Sequence, residues 1–120
     1  MLWLMVNVAG DLLSKGGAIM REDIRDRLIA VARTGQVIFY GELRIGRGKA
    51  AGQILGDICQ HEHSQSRPLL SAVVVNKGTG MPSEGFWGLS GIPPNLTNRQ
   101  RPVFWARELI KVINYWQEHS

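Results

Sequence analysis

The segment Leu69-Leu70-Ser71-Ala72-Val73-Val74-Val75 is nearly continuous in apolar side chains, and it constrains the fold more than any other stretch of the chain. It does not alternate between apolar and polar residues, so both of its faces have to be covered. Its β-branched valines favour extended backbone. The run therefore predicts a buried strand over 69–75. A chain of 120 residues has material for one such core and not for two. A single domain over 1–120 is expected, with an N-terminal extension over 1–20 and a folded core over 21–117.

Three helices are predicted around that strand. Residues 21–33 place Ile24, Leu28, Val31 and Ala32 on one face, with Glu22 and Asp23 in the first turn and Arg33 in the last. Gly35 supplies a stop. Residues 49–62 carry the stripe Ala51, Ile54, Leu55 and Ile58. In the same helix Gly52 and Gly56, four apart, predict the close approach of another backbone, because each costs about 1 kcal/mol relative to alanine. A last helix starts near Pro102 and runs to about Gln117, with Trp105, Leu109, Val112, Ile113 and Trp116 on its apolar face.

Shorter elements fill the remainder. Val37 to Tyr40 reads as a strand and Gly41 to Ile45 as one helical turn. Asn76 to Gly80 is a turn, and Gly85 to Leu89 is expected to return as a strand beside 69–75. The resulting order is helix, strand, short helix, helix, hairpin, helix. It is an α+β arrangement that resembles a small winged-helix domain, helices with a β-hairpin, and it equally fits a generic small α+β domain.

The single cysteine, Cys59, leaves no intramolecular disulfide and points to the cytoplasm. Met1 to Ala9 are apolar apart from Asn7 but too few to span a bilayer, which takes about 20 residues. They lack the basic start of a signal peptide. A strand or helical turn covering the core is expected there, Lys15-Gly16-Gly17 reads as a linker, and Met20 is an alternative start. No membrane partner is implied.

Basic residues number 14 against 10 acidic ones, and ten of the fourteen are arginine. Arginine presents a planar fork of donors suited to phosphate. The densest cluster is Gly41-Glu42-Leu43-Arg44-Ile45-Gly46-Arg47-Gly48-Lys49, just ahead of the second long helix, where glycines and a helix N-terminus suit an anion. It is not a nucleotide-hydrolysing loop, since Ala50 follows Gly48-Lys49 where a hydroxyl is needed. Cys59 and His63 share a helix face, yet a structural zinc site takes four ligands and no second Cys/His pair is present. The carboxylates are scattered, and no Gly-x-Ser-x-Gly elbow occurs. A non-enzymatic reading without cofactor or metal is therefore favoured. Among the aromatic residues, Trp87 is the candidate for stacking on a base.

From residue 35 to 88 the order of motifs resembles the DNA-binding domain of the O6-alkylguanine-DNA alkyltransferase family. Gly35-Gln36-Val37, Tyr40-Gly41-Glu42, Gly46-Arg47-Gly48-Lys49-Ala50-Ala51, Pro68, Val73-Val74-Val75 and Gly85-Phe86-Trp87-Gly88 carry the resemblance. It implies a winged-helix scaffold. The family's reactive Cys, the following His and the next Arg are here Leu69, Leu70 and Ser71, and its base-displacing arginine falls near Gly52. Alkyl transfer and base displacement do not carry over. The stretches Pro68 to Lys77 and Gly80 to Phe86 are also similar, and more closely so, to a short bacterial domain that implies no particular activity.

These observations favour a DNA-binding domain that contacts the phosphate backbone of a double strand. Tyr40, Arg44, Arg47, Lys49, Gln53, Arg67, Lys77 and Trp87 are its candidate contacts. Two alternatives remain open. One is a protein-interaction or regulatory module with an apolar patch built from Trp87, Ile92 and Leu2-Trp3-Leu4. The other is a small hydrolase or nuclease centred on Glu42, His61 or His63, which requires those side chains to converge.

Overall fold

A computed structural model describes residues 20–119. Its elements are α1 (Glu22–Arg33), β1 (Ile38–Phe39), α2 (Tyr40–Leu43), α3 (Lys49–Ser64), a first 3-10 turn (Leu70–Val73), β2 (Val74–Val75), a second 3-10 turn (Glu84–Gly88) and α4 (Gln100–Glu118). The described chain is α+β: four α-helices around a two-stranded parallel sheet, Ile38 beside Val74 and Phe39 beside Val75. The expectations for Met1 to Ala9, the Lys15-Gly16-Gly17 linker and Leu2-Trp3-Leu4 fall outside the described residues.

The apolar run lies at the centre, as its composition requires. Leu69 to Val75 are all buried. The first 3-10 turn touches α1, α3 and α4, and α1 packs on α4. Helix α1 contributes Ile24, Leu28, Ile29 and Ala32 to the core; Ile29 takes a place expected for Val31, which is only half-buried. Helix α3 contributes Ala51, Leu55, Ile58 and Cys59, and α4 contributes Val112 and Trp116. Gly35 ends α1 in the left-handed region at φ 73° and returns its N–H to the Ala32 carbonyl at 3.0 Å.

Two strand expectations are corrected. Over 69–75 only Val74 and Val75 are strand, and residues 70–73 form a 3-10 turn. The reason lies in the hydrogen-bond partners. Side chains of flanking helices take up backbone groups that a neighbouring strand would otherwise bond. The Leu69 N–H donates to Glu108 Oε2 at 2.9 Å, Trp105 Nε1 donates to the Ala72 carbonyl at 2.8 Å, and the Ser71 N–H donates to Cys59 Sγ at 3.4 Å.

The returning strand over 85–89 is the second correction, and with it the β-hairpin. Residues 84–88 are a 3-10 turn, and β2 pairs with β1 in parallel. A helical turn lets adjacent aromatics diverge into different neighbours. Phe86 enters the core, while Trp87 meets it edge-on at 5.0 Å and 90° and lies 6.3 Å from Phe104.

Candidate functional site: a cation-lined cleft beside α3

The chain from Phe39 to Lys49 sets up the site. Glu42 Oε1 accepts the Phe39 N–H at 3.2 Å and closes α2 into a single turn. Arg44 then adopts the left-handed conformation at φ 54°, followed by Gly46 at φ 89° and Gly48 at φ 57°. These reversals leave Arg44 and Arg47 exposed while Leu43 and Ile45 stay in the core. Helix α3 starts with no side-chain cap and no acidic residue in its first turn. Its first N–H groups therefore present unneutralised positive partial charge.

Opposite this corner lies the loop that follows β2. The Tyr40 hydroxyl shares a hydrogen bond with Ser83 Oγ at 2.8 Å and accepts the Ser83 N–H at 3.2 Å. Those two bonds hold the loop against α2. Between them is a cleft of about 970 Å³. Tyr40, Arg44, Arg47 and Lys77 line it, with Glu42, Asn76 and Ser83. Past Gly48, Gly52 and Ser83 it continues into a recess of about 550 Å³, lined by Lys49, Gln53, Gly56, Glu84 and Gly85.

Six of the eight residues expected from sequence thus border one continuous depression: Tyr40, Arg44, Arg47 and Lys77 the main cleft, Lys49 and Gln53 its continuation. Among the described residues, Arg44, Arg47, Lys49 and Lys77 have neither an ion pair nor a side-chain hydrogen bond. Gln53 Nε2 is held by Asp57 Oδ1 at 2.8 Å. The other two residues lie elsewhere. Arg67 donates to the fully buried Glu62 at 2.8 Å, alongside Arg25 at the same distance. Trp87 is packed between Phe86 and Phe104, with the Arg101 guanidinium 5.0 Å from its ring centre.

Gly52 and Gly56 are also corrected. Among the described residues a Cβ built at either meets nothing within 4 Å, so no backbone packs directly on them as the spacing predicts. They floor the cleft instead, Gly52 in both portions. Sequence reasoning missed Asn76 and Ser83. Neither carries a local signal, because the Tyr40–Ser83 contact spans 43 positions.

The residues of the alternative readings do not converge. Glu42 lines the cleft, whereas His61 Nε2 is 3.9 Å from Glu62. His63 is exposed, and a Cβ at Gly91 would come within 3.1 Å of its Nδ1. Cys59 is buried and donates to Ser71 Oγ at 3.0 Å. Burial pushes its thiol up to about 11, against weaker lowering by the Ser71 hydrogen bonds. Such a thiol is a poor nucleophile and a poor metal ligand at neutral pH. No group of three or more His, Cys, Asp or Glu side chains placed to hold a metal occurs among the described residues. For the interaction-module patch, Ile92 is buried and Trp87 half-buried, so those two do not form an exposed apolar surface. Among the described residues no helix is long and apolar enough to cross a membrane.

No family model matches the chain, and no curated protein or solved structure matches it.

Proposed function

We propose that this protein is a non-enzymatic domain that binds double-stranded DNA through its phosphate backbone. The observation that carries the reading is the set of four cations, Arg44, Arg47, Lys49 and Lys77, that have no partner among the described residues and stand around one continuous cleft beside the α3 N-terminus. Cations held by carboxylates would gain little from a phosphate; these are available to release counterions from DNA. In this reading α2 and α3 act as a helix-turn-helix, and the 76–88 segment takes the place of the wing. The resemblance of residues 35–88 to the alkyltransferase DNA-binding domain supports the same assignment without its chemistry, since Leu69 replaces the reactive cysteine. Contacts of this kind give affinity and no choice of sequence.

Fluorescence anisotropy of a labelled duplex, titrated at about 50 mM and about 200 mM salt, tests it. Each phosphate contact contributes about 0.9 log units of affinity per log unit of salt. Binding that weakens steeply with salt, and weakens further in an Arg47→Ala, Lys49→Ala variant, is expected. No binding at low salt discards the reading.

A second reading, a protein-interaction module, draws on a different face. Val103 and Ile110, seven apart on α4, are 52% and 58% exposed. Oligomer formation seen by light scattering, insensitive to DNA and abolished by Ile110→Glu, would favour it.

A further inference from the structure

The charge around the cleft is uneven, and the unevenness bears on which part of a nucleic acid it receives. Among the described residues, Arg44, Arg47 and Lys77 in the main portion face a single carboxylate, Glu42, which leaves an excess of two positive charges. In the continuation Lys49 is the one unmatched cation among the described residues, because the Glu84 carboxylate there is already paired with Arg101. Arg101 holds Glu84 at 2.9 Å from outside the cleft lining, so that carboxylate does not offset Lys49.

An internal phosphodiester carries one negative charge. A phosphate monoester carries close to two at neutral pH, because its second pKa is about 6, and offers three strong acceptor oxygens. A single monoester matches the excess in the main portion, where a single internal phosphodiester leaves one cation unmatched. Donors for its oxygens are at hand in the Asn76 amide and in the one of the Ser83 and Tyr40 hydroxyls that does not donate to the other. The continuation past Gly52 and Gly56, where the glycines add no side chain, carries the single unmatched cation Lys49 and suits a singly charged internal phosphodiester of the strand leading away.

Resting on the DNA-binding reading above, we infer that the main portion of the cleft seats the terminal phosphate of a nucleic-acid strand, so that the protein prefers phosphorylated ends to hydroxyl ends. Arg44 and Lys77 are the end-recognising cations. Lys49 lies on the strand leading away.

Short, internally labelled duplexes of one sequence test this, ending in 5′-phosphates, 3′-phosphates or hydroxyls. Their affinities are compared by anisotropy at about pH 7.5 and about pH 5. At the higher pH one phosphorylated form binds about tenfold tighter than the hydroxyl form, a difference of about 1.4 kcal/mol. At the lower pH the preference shrinks, as the monoester falls to a single charge. Among the described residues no histidine lines either portion, and the ionisable groups are Glu42, Arg44, Arg47, Lys77 and Tyr40 in the main portion and Lys49 and Glu84 in the continuation. The ratio of affinities at each pH therefore follows the phosphate. The variant Arg44→Gln, Lys77→Gln, both exposed positions, weakens binding to all three duplexes and brings the ratio of phosphorylated to hydroxyl affinity close to one, whereas Lys49→Gln weakens all three and leaves that ratio in place. Equal affinity for all three duplexes overturns the inference and leaves backbone binding standing. Absence of binding to any of them overturns both.

Discussion

The Tyr40 hydroxyl lies 2.8 Å from Ser83 Oγ and accepts the Ser83 N–H at 3.2 Å, so one side chain ties α2 to the loop that forms the far wall of the cleft. Tyr40→Phe removes both bonds and keeps the ring. A half-buried hydrogen bond contributes about 1 kcal/mol net. The variant is expected to lose about that much stability in denaturant unfolding, and the Ser83 amide to exchange faster with solvent. Unchanged exchange at Ser83 would show that other contacts hold the loop.

Glu62 links α1, α3 and the loop before the central run through Arg25 and Arg67. Burial acts to raise its carboxyl pKa, but the hydrogen bonds and charges of Arg67 and Arg25 outweigh it and hold the group below its ordinary 4.5. A carboxyl depressed in the folded state stabilises the fold above the unfolded value, and that contribution is lost as pH falls through the folded value. Thermal unfolding temperature should therefore drop below about pH 4.5. Glu62→Gln leaves two guanidiniums facing a neutral amide and should cost about 3 kcal/mol at pH 7. It should also flatten the acid limb of the profile. An acid limb unchanged in Glu62→Gln would assign it to other carboxylates.

Gly52 separates stability from binding. It lies inside α3, its φ is not in the left-handed region, and a Cβ there meets nothing within 4 Å. Gly52→Ala should raise stability by about 1 kcal/mol, the helix-propensity difference. Because Gly52 floors both portions of the cleft, the added methyl should weaken DNA binding several-fold. Unfolding and anisotropy measured on the same variant check the opposed signs. Stabilisation with unaltered affinity would move the DNA-contacting face away from the glycines.

Cys59 reports on global opening. With its thiol pushed up to about 11 by burial, it should resist an aromatic disulfide reagent at pH 8 in the native state and react at the unfolding rate in denaturant. The thiol is favoured in the fold, so its contribution is complete below its ordinary 9.0 and is lost as pH rises toward 11. Fast native-state reaction would mean that α3 opens locally around Cys59.

Helices α1, α3 and α4 were legible in the chain because their information is local: apolar spacing, acidic residues at the start of α1, and Gly35 at its end. The cluster Arg44, Arg47 and Lys49 was legible as an anion-attracting corner for the same reason. What became of 69–75 and 85–89 was not, since a strand needs a neighbour. The partners that Leu69 and Ala72 find, Glu108 and Trp105, stand more than thirty positions away. Arg67 and Arg47 look alike in sequence; only packing shows that Arg67 is spent on Glu62 while Arg47 stays unpaired beside a cleft. The burial of the valine-rich run followed from its composition. The hydrogen bonds that shape it, and the cleft where Tyr40, Lys77 and Ser83 meet, came from contacts between distant segments, which no local pattern encodes.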